Sequence, residues 1–368
     1  MKIIAAVAER PKEAFIVRPL ELGTPRDNEL LVKIVATGIC HTDLVVRDQI
    51  LPVPMPVVLG HEGAGIVERV GKNVSHLKPG DKVILSVGYC GHCAPCATGT
   101  PVYCHDHQAI NWAGSRLDGS VSLHDGARAV HSHFFGQSSF ANYAVVNQSS
   151  AVKVSDDAPL EALGPFACGI MTGAGAVMNS LRPEPGASIA IFGIGAVGIA
   201  AVAAARVMGC TTIIAVDVQE GRLALAERVG ATHIVNSREQ DPLEAIRQIT
   251  QGEGVRHAVE CSGIASVMKD AVSSLQEIGS CVLTGVPALG TELPLDILHL
   301  LRGRMVRGSI MGDAAPSVFL PKLVDLFLAG HFPVDEMYRF YPLEEINQAI
   351  ADTHAGTTIK AILKMPHA

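Results

Sequence analysis

Ser188-Ile189-Ala190-Ile191-Phe192-Gly193-Ile194-Gly195-Ala196-Val197-Gly198 is an apolar run that breaks into three glycines and then continues to Ala205 without a charge. The stretch Ile189 to Ala205 is shorter than a comfortable membrane span and is interrupted by Gly193, Gly195 and Gly198, so it reads as a buried strand followed by a buried helix. In such a turn the first glycine permits the tight bend, the second lets backbone approach a pyrophosphate, and the third brings helix against strand. The helix N-terminus then offers oriented N–H groups to the anion. Asp217 ends the next strand about twenty residues on, where a carboxylate accepts hydrogen bonds from adenosine ribose hydroxyls and repels a 2′-phosphate. NAD is therefore expected rather than NADP.

Outward from this turn the rhythm is strand, helix, strand, helix. Apolar strand cores fall at Ser188 to Phe192, Thr212 to Val216, His233 to Val235, His257 to Glu260 and Cys281 to Gly285, with a sixth at Met305 to Ile310. Between them Ala196 to Met208, Glu220 to Val229, Pro242 to Thr250 and Ala265 to Glu277 carry apolar residues three or four apart. This alternation predicts an α/β fold with a doubly wound parallel sheet. Further on, Pro321 to Ala329 reads as a helix and Thr357 to Leu363 as a strand. The first third is β-rich instead: Leu30 to Ala36, Gly63 to Val70 and Lys82 to Leu85 read as short strands broken by turns such as Pro79-Gly80-Asp81. Two domains follow, one of residues 1–169 and 312–368 and one of residues 170–311.

The chain has 368 residues, 48% of them apolar, enough for two buried cores. With 18% charged residues and a formal charge of -7 it has no basic field to collect nucleic-acid phosphates or anionic lipid. The segment Met1 to Arg10 is too short for a signal-peptide core, so a cytoplasmic location is expected, with neither nucleic acid nor membrane as partner.

Nine cysteines is an odd count, and four of them crowd into Cys90-x2-Cys93-x2-Cys96-x7-Cys104. Metal ligation explains that crowding better than disulfides. Four thiolates at this spacing suit tetrahedral zinc and leave no open position, so the site is structural. A zinc ribbon for nucleic acid is the rival reading, but the lobe lacks a Lys/Arg cluster. Cys40, His61 and Cys168, taken singly, read as core thiols and a satisfied histidine.

Gly38-Ile39-Cys40-His41-Thr42-Asp43, then Gly60-His61-Glu62-Gly63-Ala64-Gly65, then the four-cysteine lobe and the glycine turn occur in an order that resembles the zinc-dependent medium-chain alcohol dehydrogenases over essentially the whole chain, and most of all their aryl (benzyl) alcohol dehydrogenases. The resemblance implies a GroES-like catalytic domain beside a Rossmann domain, two zinc ions per chain, and homo-oligomers. It makes Cys40, His61 and Cys168 the ligands of a catalytic zinc with an open fourth position, Glu62 a nearby carboxylate, and Asp43 the group that orients His61. By the same resemblance Thr42 takes the alcohol proton and passes it to the nicotinamide ribose, while Val45 stands where many relatives place a relaying histidine. His41, Arg222 and Lys360 match cationic contacts to pyrophosphate or ribose, and Thr172 and Val197 match residues beside the nicotinamide. Leu51, Ser86, Phe134 and Phe135 match the substrate slot, whose aromatic walls suit an aryl ring. The expected reaction is reversible NAD-linked oxidation of a primary, benzyl-type alcohol to its aldehyde; terpenoid, aliphatic or glutathione-linked alcohols are the alternative substrates.

Overall fold

A computed structural model describes residues 1–366, which divide into two compact units: residues 1–168, 315–325 and 338–366, and residues 169–314 and 326–337. The second unit holds the parallel sheet. Its strands Ser188–Phe192, Thr212–Asp217, His233–Asn236, Val255–Glu260, Leu275–Leu283 and Met305–Gly308 become β1 to β6, and their spatial order is β3-β2-β1-β4-β5-β6. All five neighbouring pairs are parallel. The order reverses between β1 and β4, so the chain leaves those two strands in opposite directions and opens a crevice at their carboxyl ends. Gly193 follows β1 at that point.

The core of this unit is built from Phe192, Ile214, Val216, Val235, Ile246, Ala258 and Cys281, all buried. Burying a large aliphatic or aromatic side chain of this kind stabilises by about 1.5–3 kcal/mol. The uncharged run after Ser188 is accounted for by β1 and the helix Ala196–Val207, in which residues 198–205 are all buried. Among the described residues no single helix is long and apolar enough to cross a membrane.

Several boundaries differ from the sequence reading. The helix expected over Ala265 to Glu277 stops at Ser273, and β5 begins at Leu275 rather than Cys281. Leu275 is buried and pairs with Val255, after which the register jumps so that His257 faces Ser280. Ile278, at a φ of 62°, turns within that bulge. Helical spacing carried the reading four residues too far because a bulged strand does not alternate cleanly. The helix expected from Pro321 starts at Pro316 and runs to Leu328, with Pro321 inside it. Proline at a first helical position is the start signal, and the earlier of the two prolines supplies it. Residues 326–337 cluster with the second unit, not with the first as expected. Phe332 and Val334 are fully buried, and the turn Val334–Met337 touches the helices Ala196–Val207 and Glu220–Val229.

The first unit is β-rich. One sheet orders the strands 57–58, 2–8, 16–22, 123–125 and 128–130; the other orders 151–153, 82–85, 63–70, 29–38, 360–364 and 338–342, with 143–147 also paired to 29–38. Strand Glu29–Gly38 is central to the second sheet and delivers the chain directly into Cys40.

Candidate active site

Cys40 precedes the short helix His41–Arg47, and the buried carboxylate of Asp43 ties this helix start to a second segment. Its Oδ2 accepts the Cys40 backbone N–H at 2.9 Å, while its Oδ1 accepts the Gly60 N–H at 3.1 Å and the His61 Nδ1–H at 2.9 Å. One side chain thereby aligns two potential metal ligands and sets the tautomer of the second. His61 Nε2 is buried and has no hydrogen-bond partner among the described residues. A buried polar atom left unpaired is costly, so this nitrogen marks a position for an electrophile.

The remaining ligand atoms lie around it. Donor atoms of Cys40, His61, Glu62 and Cys168 all fall within 4.8 Å of one another. The hydrogen bond from Cys168 holds the Cys40 thiol well below the usual thiol range, and that same contact together with burial drives Cys168 well above it. Burial disfavours charge on His61, yet Asp43 and Cys40 carry it well above the usual imidazole range. Burial pushes Glu62 up to about 7 against the opposing pull of Lys360. Two thiols and an unpaired imidazole nitrogen, brought together here, form a three-donor set that fits zinc with one position left open, and the Glu62 carboxylate lies beside it. Gly38 makes room for it, since a Cβ there would lie 2.0 Å from Glu62 Oε2.

Neighbouring groups hold the ligand segments still. Gln137 donates from Nε2 to the carbonyls of His61 and Leu85, each at 2.9 Å, and accepts the Gly63 N–H at 3.1 Å. Ser86 is buried and donates to the Ala167 carbonyl at 2.7 Å, fixing the turn before Cys168. Phe135 lies against the His61 ring with centroids 4.6 Å apart, and Phe134 meets it edge-on at 5.6 Å. Trp112 in turn packs on Phe135 at 5.3 Å and on Phe134 at 5.8 Å. The sequence reading missed Gln137, which has no local pattern, and Trp112, which had one: it is the only tryptophan, eight residues past Cys104.

Other expected residues are distributed less tightly. Thr42 Oγ1 lies 3.8 Å from Cys40 Sγ. His41 is exposed, Leu51 is half-buried with its N–H on the Val45 carbonyl, and Val45 is half-buried on the helix. Lys360, expected at a phosphate, is buried, with its ammonium 2.5 Å from Glu62 Oε2 and donating to the Ile39 carbonyl at 3.0 Å. Its charge is thus engaged by the ligand set, because Glu62 would otherwise be an unpaired buried carboxylate.

The four-cysteine lobe, by contrast, is closed. Sγ atoms of Cys90, Cys93, Cys96 and Cys104 lie within 4.8 Å of one another. Backbone N–H groups of Cys93, Cys90 and His105 point at the sulfurs of Cys90, Cys104 and Cys93 at 3.4, 3.3 and 3.5 Å. Such donors favour thiolate, and those of His105 and Cys96 bring Cys93 down to about 6. Four sulfurs so held fit a second zinc with no open position.

In the second unit Gly193 has a φ of 88°, and a Cβ on Gly198 would lie 2.1 Å from the Gly193 carbonyl. A Cβ on Gly195 would meet nothing within 4 Å, so free space stands directly before the N-terminus of the helix Ala196–Val207. That cradle fits a pyrophosphate. Asp217 is buried, with Oδ2 accepting the Ile194 N–H at 2.6 Å and Oδ1 accepting those of Val218 and Gln219 at 2.8 and 2.9 Å. Arg222 Nη1 approaches it to 3.8 Å. Val197 lies in the first turn of the same helix, and the helix Gly169–Gly175, which carries Thr172, packs so closely that a Cβ on Gly173 would lie 2.0 Å from the Val197 carbonyl.

Comparison with known proteins meets the same two parts. A family described as "Alcohol dehydrogenase GroES-like domain" matches residues 26–156, and one described as "Zinc-binding dehydrogenase" matches residues 196–329. The chain is 41% identical to a geraniol dehydrogenase of Castellaniella defragrans over 98% of its own length and 96% of the relative's. Its structure is similar to that of benzyl alcohol dehydrogenase from Acinetobacter calcoaceticus, at 46% identity and a TM-score of 0.96, with all of both chains covered. An alcohol dehydrogenase zinc-binding domain protein from Burkholderia ambifaria is 51% identical, with a TM-score of 0.98 and the same full coverage. Identity at this level over nearly the whole of both chains places the chain in one family: it belongs to the zinc-dependent medium-chain alcohol dehydrogenases, oxidoreductases that act on CH–OH groups with a nicotinamide dinucleotide.

Proposed function

We propose that the chain interconverts a primary alcohol and its aldehyde with NAD, and that the alcohol's carbinol carbon is attached to an sp² carbon, with a benzyl-type ring preferred. The observation that carries this reading is the aromatic cluster in which Phe135 and Phe134 lie against the ring of His61 and Trp112 packs behind them. Aromatic faces and edges laid against the one ligand with an unpaired nitrogen favour a flat, polarisable substituent. The 41% identity to a geraniol dehydrogenase favours a terpenoid alcohol as the second reading. Geraniol and benzyl alcohol share the feature named: each yields a conjugated aldehyde.

When bound, zinc at Cys40, His61 and Cys168 supplies polarisation of the alcohol oxygen, and the dinucleotide at the glycine turn supplies the hydride acceptor. The chain's own groups do the rest. Thr42 Oγ1, beside Cys40, accepts the alcohol proton and hands it on towards solvent, since Val45 offers no base. Asp43 keeps His61 Nδ1 protonated and Nε2 free. Lys360 balances Glu62 inside the buried site. Asp217 favours the ribose hydroxyls of NAD over a 2′-phosphate. Steady-state kinetics with benzyl alcohol, cinnamyl alcohol, geraniol and ethanol, each with NAD and with NADP, tests the reading. Ethanol turned over as efficiently as benzyl alcohol, or NADP used as well as NAD, would sink it.

A homo-oligomer belongs to the same proposal. Edge strand β6 and the helix Ile297–Leu301 expose Met305, Ile297, Leu298 and Leu301, each by 62% or more. An apolar sheet edge of this kind favours pairing with a second copy. Leu301→Glu is expected to lower the mass seen in sedimentation equilibrium, and an unchanged mass would count against this edge.

A further inference from the structure

We propose that Trp112 is a positioning residue, which braces Phe134 and Phe135 against the catalytic ligand His61 and takes its own placement from the four-cysteine lobe. The inference deepens the reading of those phenylalanines as the substrate wall and rests on it in part. Every link lies within the first unit. Cys104, the last sulfur of the lobe, accepts the His107 N–H on its carbonyl at 3.0 Å and so opens the helix His107–Asn111. Asn111 is fully buried and clamps the other side of this helix to the strand end before Cys90. Its Oδ1 accepts the Gly88 N–H and its Nδ2 donates to the Gly88 carbonyl, both at 2.9 Å. The helix is therefore tied to the lobe both where the lobe begins and where it ends.

Trp112 is the next residue. Its Nε1–H donates to His107 Nε2 at 3.2 Å, which sets the rotation of the indole. The same indole touches both phenylalanines, and His107 meets Phe135 edge-on at 6.5 Å. Phe134 and Phe135 are themselves almost completely buried, so a change in the indole's position leaves them no slack except towards His61. Closed packing of this kind transmits a displacement where a solvated loop would absorb it.

The test uses the full-length zinc-loaded enzyme. Trp112→Leu is expected to raise KM for benzyl alcohol about tenfold and KM for ethanol much less, because both substrates depend on His61 but only the larger one also uses the wall. Trp112→Phe, which keeps a ring but loses the indole N–H, should restore most of the selectivity. The second readout needs no turnover. Trp112 is the only tryptophan, so its emission reports this one site. Loss of the lobe's zinc, either in Cys93→Ser or by titrating the wild type with an organomercurial thiol reagent, should shift that emission to the red. Emission that stays put while one zinc per chain is released would overturn the proposal. So would a Trp112→Leu enzyme of lowered thermal stability whose benzyl-to-ethanol preference is unchanged. If the wild type shows no preference for benzyl alcohol, the aryl reading fails on its own, and the emission shift alone decides whether Trp112 links the lobe to His61.

Discussion

Removal of the Asp217 carboxylate separates its two jobs, because three of its hydrogen bonds are already made within the protein. Asp217→Gly deprives the Ile194, Val218 and Gln219 N–H groups of their acceptor. The last two sit where water can replace it, since Val218 is 40% exposed. Ile194 is fully buried, so its N–H stays unpaired, at about 1–3 kcal/mol. That is a fall of several degrees in the unfolding midpoint measured without cofactor. Loss of a charged acceptor towards the ribose hydroxyls removes roughly a further 1.5–3 kcal/mol from NAD, on the order of tenfold to a hundredfold in kcat/KM. NADP, which never had that bond, is spared the repulsion of its 2′-phosphate. The isosteric Asp217→Asn is no gentler. Whichever way its amide is turned, an NH2 group faces either the Ile194 N–H or those of Val218 and Gln219. Both variants should therefore lose thermal stability, and in both the ratio of kcat/KM for NAD over NADP should fall by at least about tenfold. A stability loss of the expected size with an unchanged cofactor ratio would refute the reasoning and leave Asp217 as a brace for the glycine turn alone.

Three further outcomes follow from the same geometry. Metal analysis should find two zinc ions per active chain, with Cys40→Ser abolishing turnover in a folded protein and Cys93→Ser lowering thermal stability or solubility first; one zinc per fully active chain contradicts this. Burial, reinforced by the nearby Arg116, brings His133 down to about 4. The neutral imidazole therefore contributes stability, about 3 kcal/mol, that is complete above pH 6.5 and is lost as pH falls towards 4, because the unfolded chain binds that proton first. His133→Gln should flatten the acid limb of the stability curve, and an acid limb of unchanged slope would show that other groups set it. Val45→His should quicken the pre-steady-state burst of NADH at neutral pH, and Thr42→Ala should slow it severely. An unchanged burst in both would mean that the proton leaves by another path.

The parallel sheet was readable because a buried strand and a helix have different periods, and the glycine turn marks the place where one becomes the other. The lobe was readable because its ligands are close in sequence. The cluster of Cys40, His61 and Cys168 was not readable from spacing: the three span 128 residues, and only a family resemblance joined them. What joins them physically is the branching of single side chains. Asp43 divides its two oxygens between the segments carrying Cys40 and His61, and Gln137 threads its amide among His61, Gly63 and Leu85. Neither residue type has a periodic signature, since its value lies in reaching two backbones at once. The same logic applies to Lys360, whose pairing with Glu62 has no signature in the sequence. A lysine read in isolation is a charge free to meet a phosphate, whereas a lysine in a closed β-sheet unit beside Glu62 is already half of a buried pair. Had Lys360 been solvated, Glu62 would have remained an unpaired carboxylate within 4.8 Å of two thiols, and burial would have driven it to hold a proton. The lysine that balances Glu62 is therefore part of what lets a site with this much negative charge fold before its metal arrives.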